Sequence, residues 1–541
     1  MYLSFRVFLN IVAVFLAVES CVNAARIAVL NNFFGHSHFA FLSNLADILA
    51  ENGHDVTVIV AEANTSAELP FPHKANLLVR DLPPPLNHMV AHESPKQQQT
   101  LWKEQYNFIQ QHRNVDFFIK LMNAQCERFL SDSLFVEKVR NQKYDFALIE
   151  PTDYCGYGMI KLAGIPAYAN SLPLTLSGVH GRALGLGGNS LESYSFTTSY
   201  HPEMTFYERV WDVLLPFYDT VIKGVDARML GVDIVRKYAD PEFTPEKAIA
   251  NGRFLFLNTE EHIDFPRPIT HKIVYIGGIM VDSKSSDALP DEYKEIFDNA
   301  KKGVVFVSFG SAAKSRYMPT HIKDAFLQLF AAFPEISFIW KYEDPDDTIG
   351  NDLPNLFKKT WVPQKELLPH PRLLAFVTHG GMNSVLEATF SGVSLLGIPL
   401  FADQMRNIKM LEYRESAVSI HKEAVTGKSL IAAMHKLTDT DSYRKHAQEL
   451  AALAKSNPQS PKERFLTHME NAIKFAHTKD YLDIGHREFN TVRYYNLDVY
   501  AFLTLVVIVT VSIVLLVVST VFKVVRYAFG RVVGTYRKKN D

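Results

Sequence analysis

Between Trp361 and Gln404 the chain carries residues whose types and order suit a phosphorylated ligand. An apolar run ending at Thr378 opens onto His379-Gly380-Gly381, and a helical pattern begins near Asn383. Two glycines let a phosphate come close to the backbone. The free amides of the helix start and the positive end of its dipole favour an anion, the electrostatic part contributing about 0.3–2 kcal/mol. His379 can donate to the same phosphate. Glu387 lies one turn beyond Asn383 on the same face, where a carboxylate can hold vicinal ribose hydroxyls. Trp361 offers a flat surface for a base, and such stacking is worth roughly 1–3 kcal/mol. These residues describe a nucleotide-diphosphate site at a strand-to-helix turn. The competing description is a glycine-tightened turn around a histidine satisfied within the fold.

Other motifs carry less. Gly185-Leu186-Gly187-Gly188 is rich in glycine, but no strand leads into it and no acidic ribose partner follows, so "GRALGLGGNS" reads as a mobile loop. Gly427-Lys428-Ser429 is not a phosphate loop, because Lys422 stands where the first glycine is required. Asp344-Pro345-Asp346 and Asp439-Thr440-Asp441 have a spacing that holds divalent metal in some transferases. With 58 acidic residues that spacing arises by chance, and no metal site is expected.

The elements that must position the site alternate. Strands are expected at Arg26–Leu30, Val56–Val60, Phe146–Ile149 and Pro166–Ala169, with an amphipathic helix from His38 to Glu51. A second alternation starts near Ile273, with strands at Val304–Ser308, Ser337–Lys341, Leu374–Thr378 and Val393–Ile398. The β-α-β pattern implies parallel sheets with right-handed crossovers. Two such α/β domains would face each other across a cleft, with ligands beyond the carboxyl ends of the strands. The expected domains are 25–265 and 275–450, followed by helices and a juxtamembrane segment at 451–499.

The chain ends add topology. Arg6, the apolar run Val7–Val18 and the small-residue close at Ala24 match a secretory signal, 1–24. Tyr500–Phe522 holds no charge over 23 residues and, at 1.5 Å per residue, is long enough as a helix to span a bilayer of about 30 Å. The tail 523–541 is basic, which places it in the cytosol and the bulk of the chain in a lumen. Lys538-Lys539-Asn540-Asp541 resembles a dilysine retrieval signal, and Asn64-Thr65-Ser66 is a glycosylation sequon suited to a lumenal loop. The 541 residues carry 56 basic and 58 acidic side chains, a balance with no field for gripping a polyanion, so nucleic acid is a poor partner class. Three cysteines cannot build a disulfide scaffold, and whether Cys126 and Cys155 pair is open.

The ordered set Trp361, Gln364, His379-Gly380-Gly381, Asn383, Glu387, Pro399, Asp403-Gln404 resembles the signature of UDP-glycosyltransferases. The likeness is to the animal membrane-bound UDP-glucuronosyltransferases in particular. It extends over nearly the whole chain and implies a GT-B fold, two Rossmann-like domains facing across a cleft, plus a C-terminal transmembrane helix. It also implies an endoplasmic reticulum membrane protein of single-pass type I topology with lumenal catalytic domains.

By that resemblance Trp361 stacks on uracil, Gln364 touches the uridine and Glu387 binds ribose. His379, Gly381, Asn383 and Ser384 meet the diphosphate, Asp403 and Gln404 hold sugar hydroxyls, and "FVSFGS" adds Gly310 and Ser311. The family's catalytic base falls in a Ser-His-aromatic step, here Ser37-His38-Phe39, with His36 as a neighbouring competitor. Its carboxylate partner is an aspartate in vertebrates; here "YDFALIEP" supplies Glu150, with Asp153 as the alternative.

The implied reaction is an inverting, metal-independent transfer from UDP-glucuronate or UDP-glucose to the hydroxyl of a small lipophilic acceptor. UDP-sugar is a co-substrate and no cofactor is expected. The choice of sugar stays open, because Asn258 occupies the region where vertebrate relatives carry an arginine. Arg267 offers a substitute cation. A lumenal receptor without transferase activity would share the topology. Oligomeric state, a homo-oligomer included, is open.

Overall fold

The structure is a computed structural model and describes residues 24–31, 36–61, 72–80, 95–103, 108–186, 200, 202–217, 231–281, 288–311, 313–485 and 491–537. The leader 1–23, Asn64, Gly187, Gly188 and Lys538-Lys539 lie outside the described residues. Residues 1–483 form one compact unit and 484–541 a second.

The first unit contains two parallel sheets. One holds β1 (Arg26–Asn31), β2 (Asp55–Val60), β3 (Asn76–Val79), β4 (Phe146–Ile149), β5 (Tyr168–Leu172), β6 (Leu255–Leu257) and β7 (Ile273–Tyr275), in the order β3-β2-β1-β4-β5-β6-β7. The other holds β8 (Gly303–Ser308), β9 (Ile336–Lys341), β10 (Leu356–Lys359), β11 (Leu373–Thr378), β12 (Leu395–Gly397) and β13 (Ala417–Ser419), in the order β10-β9-β8-β11-β12-β13. With helices between their strands, both sheets are of Rossmann type, as the resemblance implied.

The central strands are covered on both faces, so they read as apolar runs and not as alternations: "FALI" in β4 and "GVVFVS" in β8 are buried throughout. Edge strands β3 and β10 are short and half-exposed, and "LFKK" in β10 carries two lysines. Such edges give little hydrophobic signal. The expected second alternation begins later than Ile273, because β7 pairs with β6 and closes the first sheet. The strand expected at Pro166–Ala169 lies at Tyr168–Leu172, and the start of the supposed mobile loop, Gly181 to Ala183, is helical.

Strand order reverses between β1 and β4 in one sheet and between β8 and β11 in the other. Crevices form at the carboxyl ends of such pairs. The residues that follow these four strands therefore line the crevices.

The helix Pro461–Lys474 returns to the first sheet. Ser460 and Glu463 form a capping box with Pro461 in the first turn, which sets where the helix starts. Phe465 and Met469, four apart, are fully buried in the core that contains Phe39, Leu42, Phe254 and Phe256. Each contributes about 1.5–3 kcal/mol by burial. Glu470 Oε1 accepts from Asn52 Nδ2 at 2.7 Å and His54 Nε2 at 2.9 Å. Cys126 and Cys155 are joined by a disulfide with their Cα atoms 5.5 Å apart. In the second unit the helix Leu497–Arg537 extends beyond the expected 500–522, and Leu497–Val533 is long and apolar enough to cross a membrane.

Candidate active site

His38 and Glu150 follow β1 and β4, the two strands at the reversal of the first sheet. The imidazole Nδ1–H donates to Glu150 Oε1 at 2.5 Å. Thr152 Oγ1 donates to the same oxygen. Two donors thus fix Glu150, whose side chain is almost wholly buried. His180 Nε2 donates to the carbonyl of Pro151 at 3.1 Å and steadies the loop from behind. Asp153 is engaged elsewhere: its Oδ1 accepts from the amide of Cys155 at 2.8 Å, at the start of the helix Cys155–Ala163. The geometry therefore pairs His38 with Glu150 and not with Asp153.

Burial alone would lower the His38 pKa. The Glu150 charge and hydrogen bond, with the field of Asp403 behind them, outweigh it, and the net shift is upward. Asp403 belongs to the second half, so the two halves meet electrostatically at this imidazole. Burial raises the Asp403 carboxyl, against the hydrogen bond from Asn407 Nδ2 at 2.6 Å and the field of His38. His36 shifts the other way, lowered by burial and by Lys341.

His379 follows β11 and sits between two glycines. A Cβ on Gly310 would lie 2.7 Å from the ring, and one on Gly381 would lie 2.6 Å from it. Gly310 also has φ of +76°, a conformation that side chains disfavour. Burial, aided by the nearby Lys341 charge, pushes the His379 pKa down to about 4. The ring is therefore neutral at ordinary pH, a state in which it can offer a hydrogen bond but no charge.

The helix expected near Asn383 runs from Met382 to Ser391 with Gly381 as its N-cap, and its first amides have no side-chain cap. Asn383 Oδ1 accepts from Asn258 Nδ2 at 2.9 Å. Gln364 Nε2 donates to Glu387 Oε2 at 2.5 Å and to Ser384 Oγ at 3.3 Å. Burial raises the Glu387 carboxyl, against the hydrogen bond from Gln364. Trp361, three residues before Gln364, is 66% exposed. Ser311 is exposed next to Gly310. Gln404 Oε1 accepts from the amides of Leu400 and Phe401, holding the turn that carries Asp403.

One expectation is overturned. Arg267 cannot act as a substitute cation for a sugar carboxylate from its position here: its guanidinium is buried and donates to Asp264 at 2.9 Å and to the Leu176 carbonyl at 3.1 Å. The Asp-x-Asp motifs are also accounted for. Asp344 accepts from the amide of Asp346 in a turn, and Asp439 pairs with His435. Among the described residues no three metal-ligating side chains gather.

The family described as UDP-glucoronosyl and UDP-glucosyl transferase matches residues 28–539. The chain belongs to that family. This UDP-glycosyltransferase is 27% identical over 500 residues to UDP-glucuronosyltransferase 3A1 of Bos taurus, covering 90% of this chain and 91% of the other. It is 27% identical over 501 residues to UDP-glucosyltransferase 2 of Dactylopius coccus, covering 88% and 91%. The solved structure of Phytolacca americana UGT2, complexed with UDP-2fluoro-glucose and pterostilbene, matches with a TM-score of 0.56 at 16% identity, covering 83% of this chain and 100% of the other. The glycotransferase of kitacinnamycin matches with a TM-score of 0.58, also at 16% identity, covering 83% and 99%. These two likenesses are of fold. Family membership makes the protein an enzyme that transfers sugar from a UDP-sugar.

Thr152 and Lys341 were not anticipated. Thr152 stands two residues after Glu150, but a threonine there has no pattern to distinguish it from a turn residue. Lys341 ends an apolar strand, where a lone lysine usually marks only the return to solvent.

Proposed function

We propose that this enzyme transfers glucuronate or glucose from the UDP-sugar to the hydroxyl of a small lipophilic acceptor, with inversion at the anomeric carbon. His38 is the general base and Glu150 orients it. The observation that carries the reading is the 2.5 Å hydrogen bond between His38 Nδ1 and Glu150 Oε1, with Asp403 of the other half within electrostatic reach. With Nδ1 occupied, Nε2 is left to take the acceptor's proton as its oxygen attacks. Glu150 stabilises the imidazolium that forms. The attacking oxygen bonds to the anomeric carbon, and the bond to the UDP oxygen breaks on the opposite face, so an α-linked donor yields a β-glycoside.

In the same reading UDP departs toward the amides at the start of the helix Met382–Ser391 and the neutral His379. Trp361 stacks on uracil, Gln364 and Glu387 take the uridine, and Gly310, Ser311, Gly381, Asn383 and Ser384 surround the diphosphate. Asp403 and Gln404 face the sugar. No metal takes part. The Gln364–Glu387 bond supports the placement of the uridine, because it holds a carboxylate and an amide together, and Trp361, three residues before Gln364, is exposed.

The apolar helix Leu497–Val533 supports membrane anchoring, and the Cys126–Cys155 disulfide suits an oxidising lumen such as that of the endoplasmic reticulum. The test is UDP release in microsomes with UDP-glucuronate and UDP-glucose against a panel of phenols, wild type beside His38→Ala. Equal turnover by the two proteins would remove His38 as the base.

A further inference from the structure

Lys341 ends β9, which neighbours β8, and β8 in turn neighbours β11, so Lys341, Gly310 and His379 all lie at the carboxyl ends of the second sheet's strands. Its Nζ donates to the Gly310 carbonyl at 3.0 Å. That bond uses one of three N–H groups. The side chain is only partly exposed, and among the described residues it makes no ion pair. Glu343 is the carboxylate whose field reaches it, and Glu343 already accepts from the amide of Arg316 at 3.3 Å. Lys314 adds positive charge, and the Lys341 field lowers both His379 and His36, which belong to opposite halves.

A half-buried ammonium with no carboxylate in ion-pair contact is unfavourable, and an arriving oxyanion relieves it. We propose that Lys341 is a donor-binding residue that holds an oxyanion of the UDP-sugar. This rests on the nucleotide-sugar reading above. Two sources carry that chemistry: the diphosphate of any UDP-sugar, and the carboxylate of UDP-glucuronate. Arg267 competes for neither, because Asp264 holds it. A lysine acts as a compact point charge and does not need the fixed fork of an arginine, which suits a diphosphate spread over several oxygens.

The experiment uses the full chain in detergent, titrated by calorimetry with UDP, UDP-glucose and UDP-glucuronate. Lys341→Met keeps the aliphatic stem and removes the charge; Lys341→Arg restores charge. Melting temperatures establish that each variant is folded, and Lys341→Gln replaces the methionine variant if that one melts early. The expected result is affinity for all three ligands weaker by about tenfold or more in Lys341→Met, largely recovered in Lys341→Arg. A loss confined to UDP-glucuronate also supports the proposal and assigns the oxyanion to the sugar carboxylate. Unchanged affinities for all three in a folded neutral variant would overturn it. Failure of the wild type to bind UDP would overturn the nucleotide-sugar reading itself, and the role of Lys341 with it.

Discussion

Asn258, just beyond β6 of the first sheet, donates its side-chain amide to Asn383 Oδ1 in the second half, 2.9 Å away. The same Nδ2 reaches the Pro173 carbonyl at 3.3 Å, while the buried Oδ1 of Asn258 has no partner among the described residues. A residue of one half thus orients a residue at the helix start where the diphosphate is expected. Asn258→Ala should raise the donor KM about fivefold, as loss of one hydrogen bond worth about 1 kcal/mol implies, with a smaller change in kcat. Steady-state kinetics at saturating acceptor measure it. A donor KM equal to wild type would show that the bond does not position Asn383.

The upward shift of His38 has a signed consequence for rate. A general base must be neutral, so kcat/KM should rise with pH through an apparent pKa above the ordinary 6.5 of histidine. Glu150→Gln removes the charge that opposes burial. It should therefore move the profile to lower pH and reduce the plateau by about 10- to 100-fold, because the imidazolium loses its partner. A profile that does not move would separate Glu150 from the titration of His38.

Gly310→Ala places a methyl 2.7 Å from the His379 ring at a residue with φ of +76°. The backbone strain alone is about 1–3 kcal/mol. Melting should fall accordingly, and UDP affinity should fall as the ring is displaced from the helix start. Thermal unfolding with and without UDP reads both quantities. Wild-type behaviour in both would contradict the close packing of Gly310 against His379.

Asp264 ties the halves together at depth. Its Oδ1 accepts from Arg406 at 2.7 Å and Arg267 at 2.9 Å, and its Oδ2 accepts from Thr175 at 2.5 Å. Burial pushes the carboxyl up, but the two guanidiniums hold it at about 2. The folded value is depressed, so this stability is present above the unfolded pKa of about 3.9 and is lost as pH falls toward 2. Arg406→Leu should destabilise by about 3–5 kcal/mol, because it leaves a buried carboxylate short of a partner. Denaturant unfolding at neutral pH and near pH 3 checks size and sign: the deficit should shrink in acid. A deficit independent of pH would point to lost packing alone.

Much of the donor side was legible locally. The run ending at Thr378, the two glycines and the helix start are contiguous, and the amides at a helix N-terminus point outward wherever that helix is placed. Central strands were legible because burial on both faces demands unbroken apolar runs, whereas edges such as β10 answer partly to solvent and were missed. The likeness of the signature to UDP-glycosyltransferases added the expected base, His38, where the residues alone did not separate it from His36.

Only the tertiary structure decided which charges face one another. His38 meets Glu150 across 112 positions of chain because β1 and β4 are neighbours in the sheet while β2 and β3 lie on the other side. Lys341 came forward beside Gly310 across 31 positions of chain, whereas Arg267 was removed as a sugar-binding cation by Asp264, only three residues away. Periodicity and spacing act over one or two helical turns and dictate local form. Ion pairs across a cleft depend on strand order and on the packing of two halves, and no short stretch of sequence contains that information.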